Sequence, residues 1–283
     1  MLVDWQESEE IVSASAGAVT AIFQKSNGSL LSYQIDGKSQ LGGPLQLNFW
    51  RPPINNDEGA KLPFKLGNWY DVASKARAKK VTLKKNHAHF DLSLGVGKSN
   101  ATIDYYFQAD NQIEVVVNLW VRDAPMMPRF GMQTQLPATQ NNWTWFGLGP
   151  HENYVDRKRS AWTSIHSGLV PELFDHYLDP QESSNRTEVR WASFAGEGKS
   201  LTFQATGDRL LEVSAYPYSP LEIELARHPS DLRASNNQFI NLDYAQMGVG
   251  GTNSWGQLPL EKYRLQGKGN YKYSFRLLPH TNS

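Results

Sequence analysis

Three stretches of this 283-residue chain gather side chains able to recognise a ligand or move a proton. The first is Met247-Gly248-Val249-Gly250-Gly251-Thr252-Asn253-Ser254-Trp255-Gly256-Gln257-Leu258-Pro259. Four glycines and a proline forbid a regular element there, yet a large indole sits among them. The flat apolar face of Trp255 can lie on the C–H face of a sugar while its N–H stays free to donate. The alternative is that Trp255 folds back as a plug over the core. The second stretch, Trp145-Phe146-Gly147-Leu148-Gly149-Pro150-His151-Glu152-Asn153-Tyr154-Val155-Asp156-Arg157, ends a strand and then collects His, Glu, Asn, Tyr, Asp and Arg. His151 is a candidate general base and Glu152 a candidate acid, since imidazole chemistry works near neutral pH. Neighbouring residues project differently, so the competing reading is a structural network, including Asn153 and Tyr154, that ties a loop to a sheet. The third stretch, Arg51-Pro52-Pro53-Ile54-Asn55-Asn56-Asp57-Glu58-Gly59, joins a guanidinium, two amides and two acids to two prolines. With Arg51 and Asp57 as a bidentate pair and Asn56 beside them, it forms either a rigid docking loop or an internally satisfied turn.

Other chemistries find less support. His87-Ala88-His89 puts two imidazoles on one face of a strand, as a metal site needs. No third ligand follows at a metal-site spacing, so the pair reads as surface histidines, and no metal site is expected. The Gly-x-Gly groups lack the strand, helix and acidic residue of a dinucleotide site, and no Gly-x-Ser-x-Gly elbow occurs. None of the acidic residues is singled out by sequence as one of the two carboxylates a glycosidase requires. Cysteine is absent, which removes disulfides, thiolate metal sites and cysteine nucleophiles together.

Twenty-eight basic and twenty-eight acidic residues cancel, leaving no electrostatic footprint for nucleic acid or an anionic membrane. A neutral partner is expected. The first ten residues carry acids where a secretory signal carries lysines and then an apolar run, so a cytoplasmic location is expected. No apolar run reaches the roughly 18 residues of a membrane span.

The elements that must position these stretches read as strands. From Val19 onward apolar residues recur at every second position, which puts one face of a strand on a core. Val19, Ala21 and Phe23 lead to a turn at Asn27-Gly28, and Leu31, Tyr33 and Ile35 run back to Asp36-Gly37, an antiparallel meander. The pattern returns at Phe90–Val96, Ile103–Phe107, Ile113–Val121 and Tyr271–Leu277, and at Leu201–Ala205 followed across Gly207-Asp208 by Leu211–Ala215. Helical signals are confined to a capping box at Ser219-Pro220-Leu221-Glu222, expected to open a helix to about His228, and a turn near Pro171–Tyr177. The expected architecture is all-β: two packed antiparallel sheets with one or two short helices, in one domain over residues 1–283. Long irregular stretches are expected at about 49–68, 143–182 and around Trp255.

With these blocks in view, the chain resembles the C-terminal domain of the large bacterial beta-galactosidases of glycoside hydrolase family 2, also found as a separate small subunit. The resemblance rests on the Arg51–Asp57 block, on Pro128-Arg129-Phe130-Gly131-Met132, on the Trp145–Arg157 block and on Met247–Gly251 through Trp255. It covers nearly the whole chain. It implies a galactose-mutarotase-like supersandwich, with the nucleophile and acid/base glutamates in a separate barrel domain. No catalytic residue is then expected here. Trp255 is the expected substrate contact, stacking on the sugar, while Arg51, Asn56, Asp57, His151, Glu152, Asn153 and Tyr154 belong to loops or an interface. The implied partners are the barrel domain or large subunit and a galactoside, in an oligomeric parent enzyme. The magnesium and sodium ions common in the family are bound by other domains, and no cofactor is expected in this chain. An apolar, aromatic-rich face is expected where the barrel docks. Thr252-Asn253 stand where the family has acidic residues, and His151 where it has glutamine, which bears on substrate preference. The other readings are a stand-alone aldose-epimerase-like or polysaccharide-lyase-like enzyme, needing His151 with Glu152 or Tyr154 in one cleft, and a free carbohydrate-binding module.

Overall fold

A computed structural model describes residues 2–251, 253 and 256–281. The chain opens with strands β1 (Asp4–Glu7), β2 (Ile11–Ala16), β3 (Val19–Gln24), β4 (Leu30–Ile35), β5 (Lys38–Ser39) and β6 (Gly43–Asn48). Val19, Ala21 and Phe23 point into the core as alternation requires, and the Asp36-Gly37 turn takes positive φ at both residues (49° and 74°). In β4 Tyr33 and Ile35 are buried as read, but the residue buried ahead of them is Leu30, while Leu31 faces out. The pairing with β3 shifts after Ile22↔Ser32 to Phe23↔Leu30, and this bulge at Leu31 moves the inward face by one residue.

The stretch expected to be irregular at 49–68 instead winds into short helices, α1 (Asn55–Gly59), α2 (Leu62–Leu66) and a 3₁₀ turn Gly67–Trp69, with α3 (Val72–Lys75) after it. Buried Leu62, Leu66 and Trp69 hold them against the sheet. Next come β7 (Arg77–Lys84), β8 (His87–Ser93), β9 (Asn100–Phe107) and β10 (Ile113–Val121). β11 (Arg129–Pro137), β12 (Asn142–Gly149), β13 (Trp162–Leu169) and α4 (Val170–Leu173) follow. The remainder is β14 (Arg186–Val189), β15 (Trp191–Gly196), β16 (Lys199–Ala205), β17 (Leu211–Tyr216), α5 (Pro220–Leu225), β18 (Asn237–Gln246) and β19 (Gly269–Thr281). The helices outnumber the one or two expected, but each is short. At α5 the Ser219 side chain accepts from the Glu222 N–H, the capping box read from sequence, and the helix stops at Leu225 rather than His228.

Pairing is antiparallel throughout. One ten-stranded sheet runs β1-β2-β3-β4-β6-β11-β18-β17-β14 with β5 beside β4, and a nine-stranded sheet runs β13-β12-β15-β16-β19-β10-β9-β8-β7. The segment Gly207-Asp208 is a crossing between sheets and not a hairpin, since β16 pairs β15 and β19 while β17 pairs β14 and β18. Rings from the two inner faces interlock: Phe23 of β3 lies 4.7 Å from Tyr105 of β9, and Phe130 of β11 lies 5.6 Å from Tyr273 of β19. Such a double layer leaves its loops at the rims, and the motif blocks fall there or at the strand ends that lead to them, in β11 and β12.

Candidate functional site

The four motif blocks, scattered along the sequence, meet at the root of the glycine-rich loop. Arg51, buried after the end of β6, sends Nη1 to the Met247 carbonyl (2.5 Å) and Nη2 to the Gly248 carbonyl (3.2 Å). Its Nε and Nη2 also form the bidentate pair with Asp57 of α1, at 3.1 and 3.0 Å. Asp57 accepts from the Ile54 N–H as well, so it anchors the first turn of α1. One residue earlier, Asn56 donates from Nδ2 to the Val249 carbonyl (2.9 Å). From the other side, Tyr154 and Arg157 close a tight turn by exchanging backbone hydrogen bonds, which presents Asp156 to the loop. Asp156 accepts from the Val249 N–H (3.1 Å) and the Gly250 N–H (2.8 Å). Finally, Met247 N–H donates to the carbonyl of Pro128, in the fourth block.

This grip explains the glycines. A Cβ at Gly248 would stand 2.5 Å from Asp156 Oδ2, and one at Gly251 2.5 Å from the Gln257 carbonyl. Gly256, at φ +100°, lies against the Gly59 backbone at the end of α1. Residues 247–251 are thus held at close range, and the segment beyond them leads to Trp255. Trp255 itself lies outside the described residues.

Below the loop sits a buried polar network. Arg129 Nη2 donates to Glu182 Oε1 (2.9 Å) and Tyr216 Oη (3.1 Å), Nη1 donates to the Trp50 carbonyl, and Nε lies 3.0 Å from Asp243 Oδ2. Gln246 Nε2 donates to both Glu182 and Asn185, and Tyr216 donates to Glu182. Burial alone would lower the Arg129 pKa, but Asp243 and Glu182 outweigh it and hold the guanidinium firmly charged. Burial pushes Asp243 well up, against the pull of Arg129, and also raises Glu212. Arg186 lies in a different setting, its guanidinium 5.0 and 5.4 Å from the rings of Trp145 and Trp143, and burial lowers its pKa to about 10.

The pair His151 and Glu152 is not brought together as an acid and base. His151 is exposed, its Nε2 2.9 Å from Ser160 Oγ. Glu152 is buried and accepts from Tyr154, Arg157, Tyr177 and the Ser184 N–H. Four donors leave that carboxylate committed to structure. Tyr154 is buried too, and burial raises its pKa well above the phenol range. Asn153 is fully buried and knots the segment: its Oδ1 accepts from the Thr187 N–H and hydroxyl while Nδ2 donates to the carbonyls of Leu148 and His151. Glu152, Asn153 and Tyr154 thus tie the loop to the sheet, and His151 joins them through its carbonyl. Sequence reading held Asp156 within its block without giving it a role and overlooked Glu182, Asp243 and Gln246 as members of this assembly.

Beside the loop root lies a polar cleft of about 180 Å³, with Asn55, Asn56, Arg157, Tyr177, Gln181 and Val249 on its walls. Amides, a phenol and a guanidinium suit hydroxyl-rich ligands. Another surface concavity, of about 640 Å³, opens elsewhere between Glu9, Glu10, Lys79 and Lys80 and touches none of the motif blocks. Exposed apolar side chains include Phe64 of α2, almost wholly in solvent, with Tyr70 after it, and Trp162, Ile165 and Leu169 along edge strand β13. No helix among the described residues is long and apolar enough to cross a membrane. His87 and His89 are partly buried rather than free on the surface, and both contact Asp104.

The architecture is that of the galactose-mutarotase-like supersandwich: the crystal structure of galactose 1-epimerase from Lactobacillus acidophilus NCFM superposes with TM-score 0.52, covering 100% of both chains at 10% identity. That identity speaks for the fold alone. The family described as "Beta galactosidase small chain" matches residues 15–277, and the chain belongs to that family. Among relatives, a beta-galactosidase of Priestia megaterium is 33% identical over 278 residues, covering 96% of this chain and 27% of that protein. One of Lactobacillus delbrueckii subsp. bulgaricus is 33% identical over 243 residues, covering 83% of this chain and 24% of that protein. The chain spans about a quarter of the length of these relatives.

Proposed function

We propose that this chain is the sugar-facing C-terminal part of a retaining beta-galactosidase, completing a galactoside site whose two reactive glutamates lie on a separate catalytic barrel domain or large subunit. The observation that carries this reading is the convergence of all four motif blocks on residues 247–251. Arg51, Asn56 and Asp156 fix the backbone that leads to Trp255. A rigid stem that leads along the chain to an indole suits stacking on a sugar face, and Glu152 is engaged with four donors while His151 points to Ser160, which leaves the pair unsuited to acid–base work. Bond cleavage then proceeds in the barrel by double displacement through a glycosyl-enzyme intermediate. Exposed Phe64 and the apolar edge of β13 are the surfaces offered to that partner.

Stacking and area burial by one indole contribute about 1–2 kcal/mol to sugar binding. In the assembled enzyme Trp255→Leu therefore raises KM for a nitrophenyl galactoside roughly 5- to 30-fold, at 1.4 kcal/mol per decade, with a smaller change in kcat. The isolated chain turns over no galactoside. An unchanged KM together with unchanged binding of added acceptor sugars, or hydrolysis by the chain alone, refutes the proposal.

A further inference from the structure

We infer that His87, His89 and Asp104 form a binding site for a single divalent cation of the zinc class. The two histidines alternate on β8 and so share a face, and Asp104 stands on β9 directly across from His89 in the register His89↔Asp104. Sequence spacing could not supply this third ligand, because it arrives by strand pairing 15 residues later in the chain. His87 Nε2 and His89 Nδ1 each lie 2.7 Å from the same oxygen, Asp104 Oδ1. The ligand atoms of the three residues fall within 4.8 Å of one another, the one such group of His and acidic residues among those described.

Two imidazoles and a carboxylate are a donor set that suits zinc and its neighbours, while magnesium and calcium favour all-oxygen shells. With metal–nitrogen and metal–oxygen bonds of about 2.0–2.2 Å, tetrahedral ligand atoms stand roughly 3.3 Å apart. Binding of the ion asks the Asp104 oxygen to back away by about half an ångström from its present 2.7 Å contacts and the ligand atoms, now within 4.8 Å of one another, to draw together to that spacing by side-chain rotation. Until then Asp104, by contacting both rings, holds the ligands convergent, and Tyr106 fixes the plane of His87 by stacking on it at 4.2 Å and 8°. The His89 side chain keeps 29% of its surface, so the fourth position opens to water. Cross-strand neighbours Lys84, opposite His87, and Thr82, opposite His89, frame the site on β7. The bound ion clips β8 to β9 on the outer face of the nine-stranded sheet.

The test is titration of the chelator-stripped 283-residue chain with zinc chloride by calorimetry, with melting followed in parallel. The expected result is one zinc per chain, undisturbed by millimolar magnesium, and a melting temperature about 5 °C or more higher at a hundredfold excess over Kd. His89→Gln and Asp104→Asn each weaken binding by at least tenfold while melting in chelator close to the parent chain. His151→Gln, which removes an exposed imidazole away from the site, leaves the affinity unchanged. Should His89→Gln misfold, anomalous scattering at the zinc edge from soaked crystals of the parent chain answers the same question, with a peak between the three side chains expected. No saturable binding, uptake that survives both site variants, or anomalous density elsewhere overturns the inference.

Discussion

Arg51→Met is the sharpest probe of the loop root. The thioether fills much of the volume of the guanidinium stem, so the change isolates charge and hydrogen bonding from cavity formation. Arg51 is almost wholly buried, as is its partner Asp57. The variant removes two bonds to Asp57 and two to the carbonyls of Met247 and Gly248, leaving the Asp57 carboxylate with the Ile54 N–H as its described donor. Removing one partner of a buried ion pair costs about 3–5 kcal/mol, because the other charge stays desolvated. At roughly 2–4 °C per kcal/mol for a chain of this size, the melting temperature falls by about 6–20 °C. Most of that loss comes from the stranded carboxylate and not from the loop carbonyls. Asp57→Asn added to Arg51→Met therefore recovers a substantial part of it, and a double-mutant cycle by thermal and denaturant melting measures the coupling. In the assembled enzyme the single variant also raises KM, since residues 247–251 lose two of their clamps. A melting temperature within about 2 °C of the parent, or no recovery in the double variant, refutes the stranded-charge account.

Gly248→Ala pushes a methyl to within 2.5 Å of Asp156 Oδ2; it is expected to detach Asp156 from the Val249 and Gly250 N–H groups and raise KM in the assembled enzyme while changing the melting temperature less than Arg51→Met, and an unaltered KM counts against the clamp. Glu212 tests the buried network through pH. Burial raises its pKa in the fold, so its contribution to stability is complete below the ordinary glutamate range and is lost as pH rises through the folded value. Glu212→Gln keeps an oxygen for the Gln246 N–H and Asn185 Nδ2, so its melting temperature relative to the parent rises from pH 4 to pH 8; a falling difference contradicts the sign.

The strands were legible because one physical rule governs them. Where a strand packs one face on the core, alternation follows, and Val19-Ala21-Phe23 and Ile113 through Val121 are buried as read. The rule broke at Leu31, where a bulge shifted the face, and at Gly207-Asp208, where a turn signal could not reveal which sheet receives the next strand. The helices at 55–75 escaped because prolines and polar residues hide a period too short to register, and their apolar anchors Leu62, Leu66 and Trp69 answer to tertiary packing. Arg51 with Asp57 was readable as a local pair, six residues apart. Glu182, Asp243 and Gln246 were not, since their partners come from 34 or more residues away. A signal did exist: Glu212 between Leu211 and Val213, and Asp243 between Leu242 and Tyr244, are acids inside apolar strands, and a buried carboxylate requires partners nearby.

Under the proposed function, the charged and amide groups around the loop root answer what an indole contact demands. An apolar plug under residues 247–251 would leave their carbonyls and N–H groups unpaired or free to shift, and van der Waals stacking decays within a fraction of an ångström. Directional bonds from Arg51, Asn56 and Asp156 fix each peptide in turn. Those groups are themselves anchored: Arg51 by Asp57, and the turn carrying Asp156 by Tyr154 and Arg157, both of which bond to Glu152. Glu152 in turn receives the Ser184 N–H, next to Glu182 and Asn185 of the buried network. Position is thereby transmitted from the sandwich interior to its rim through buried hydrogen bonds that resist bending more than sliding apolar contacts do. If the proposed function holds, such a mount serves a contact made to a ligand held by another domain, where the error in placing the ring adds to the error in docking the two bodies.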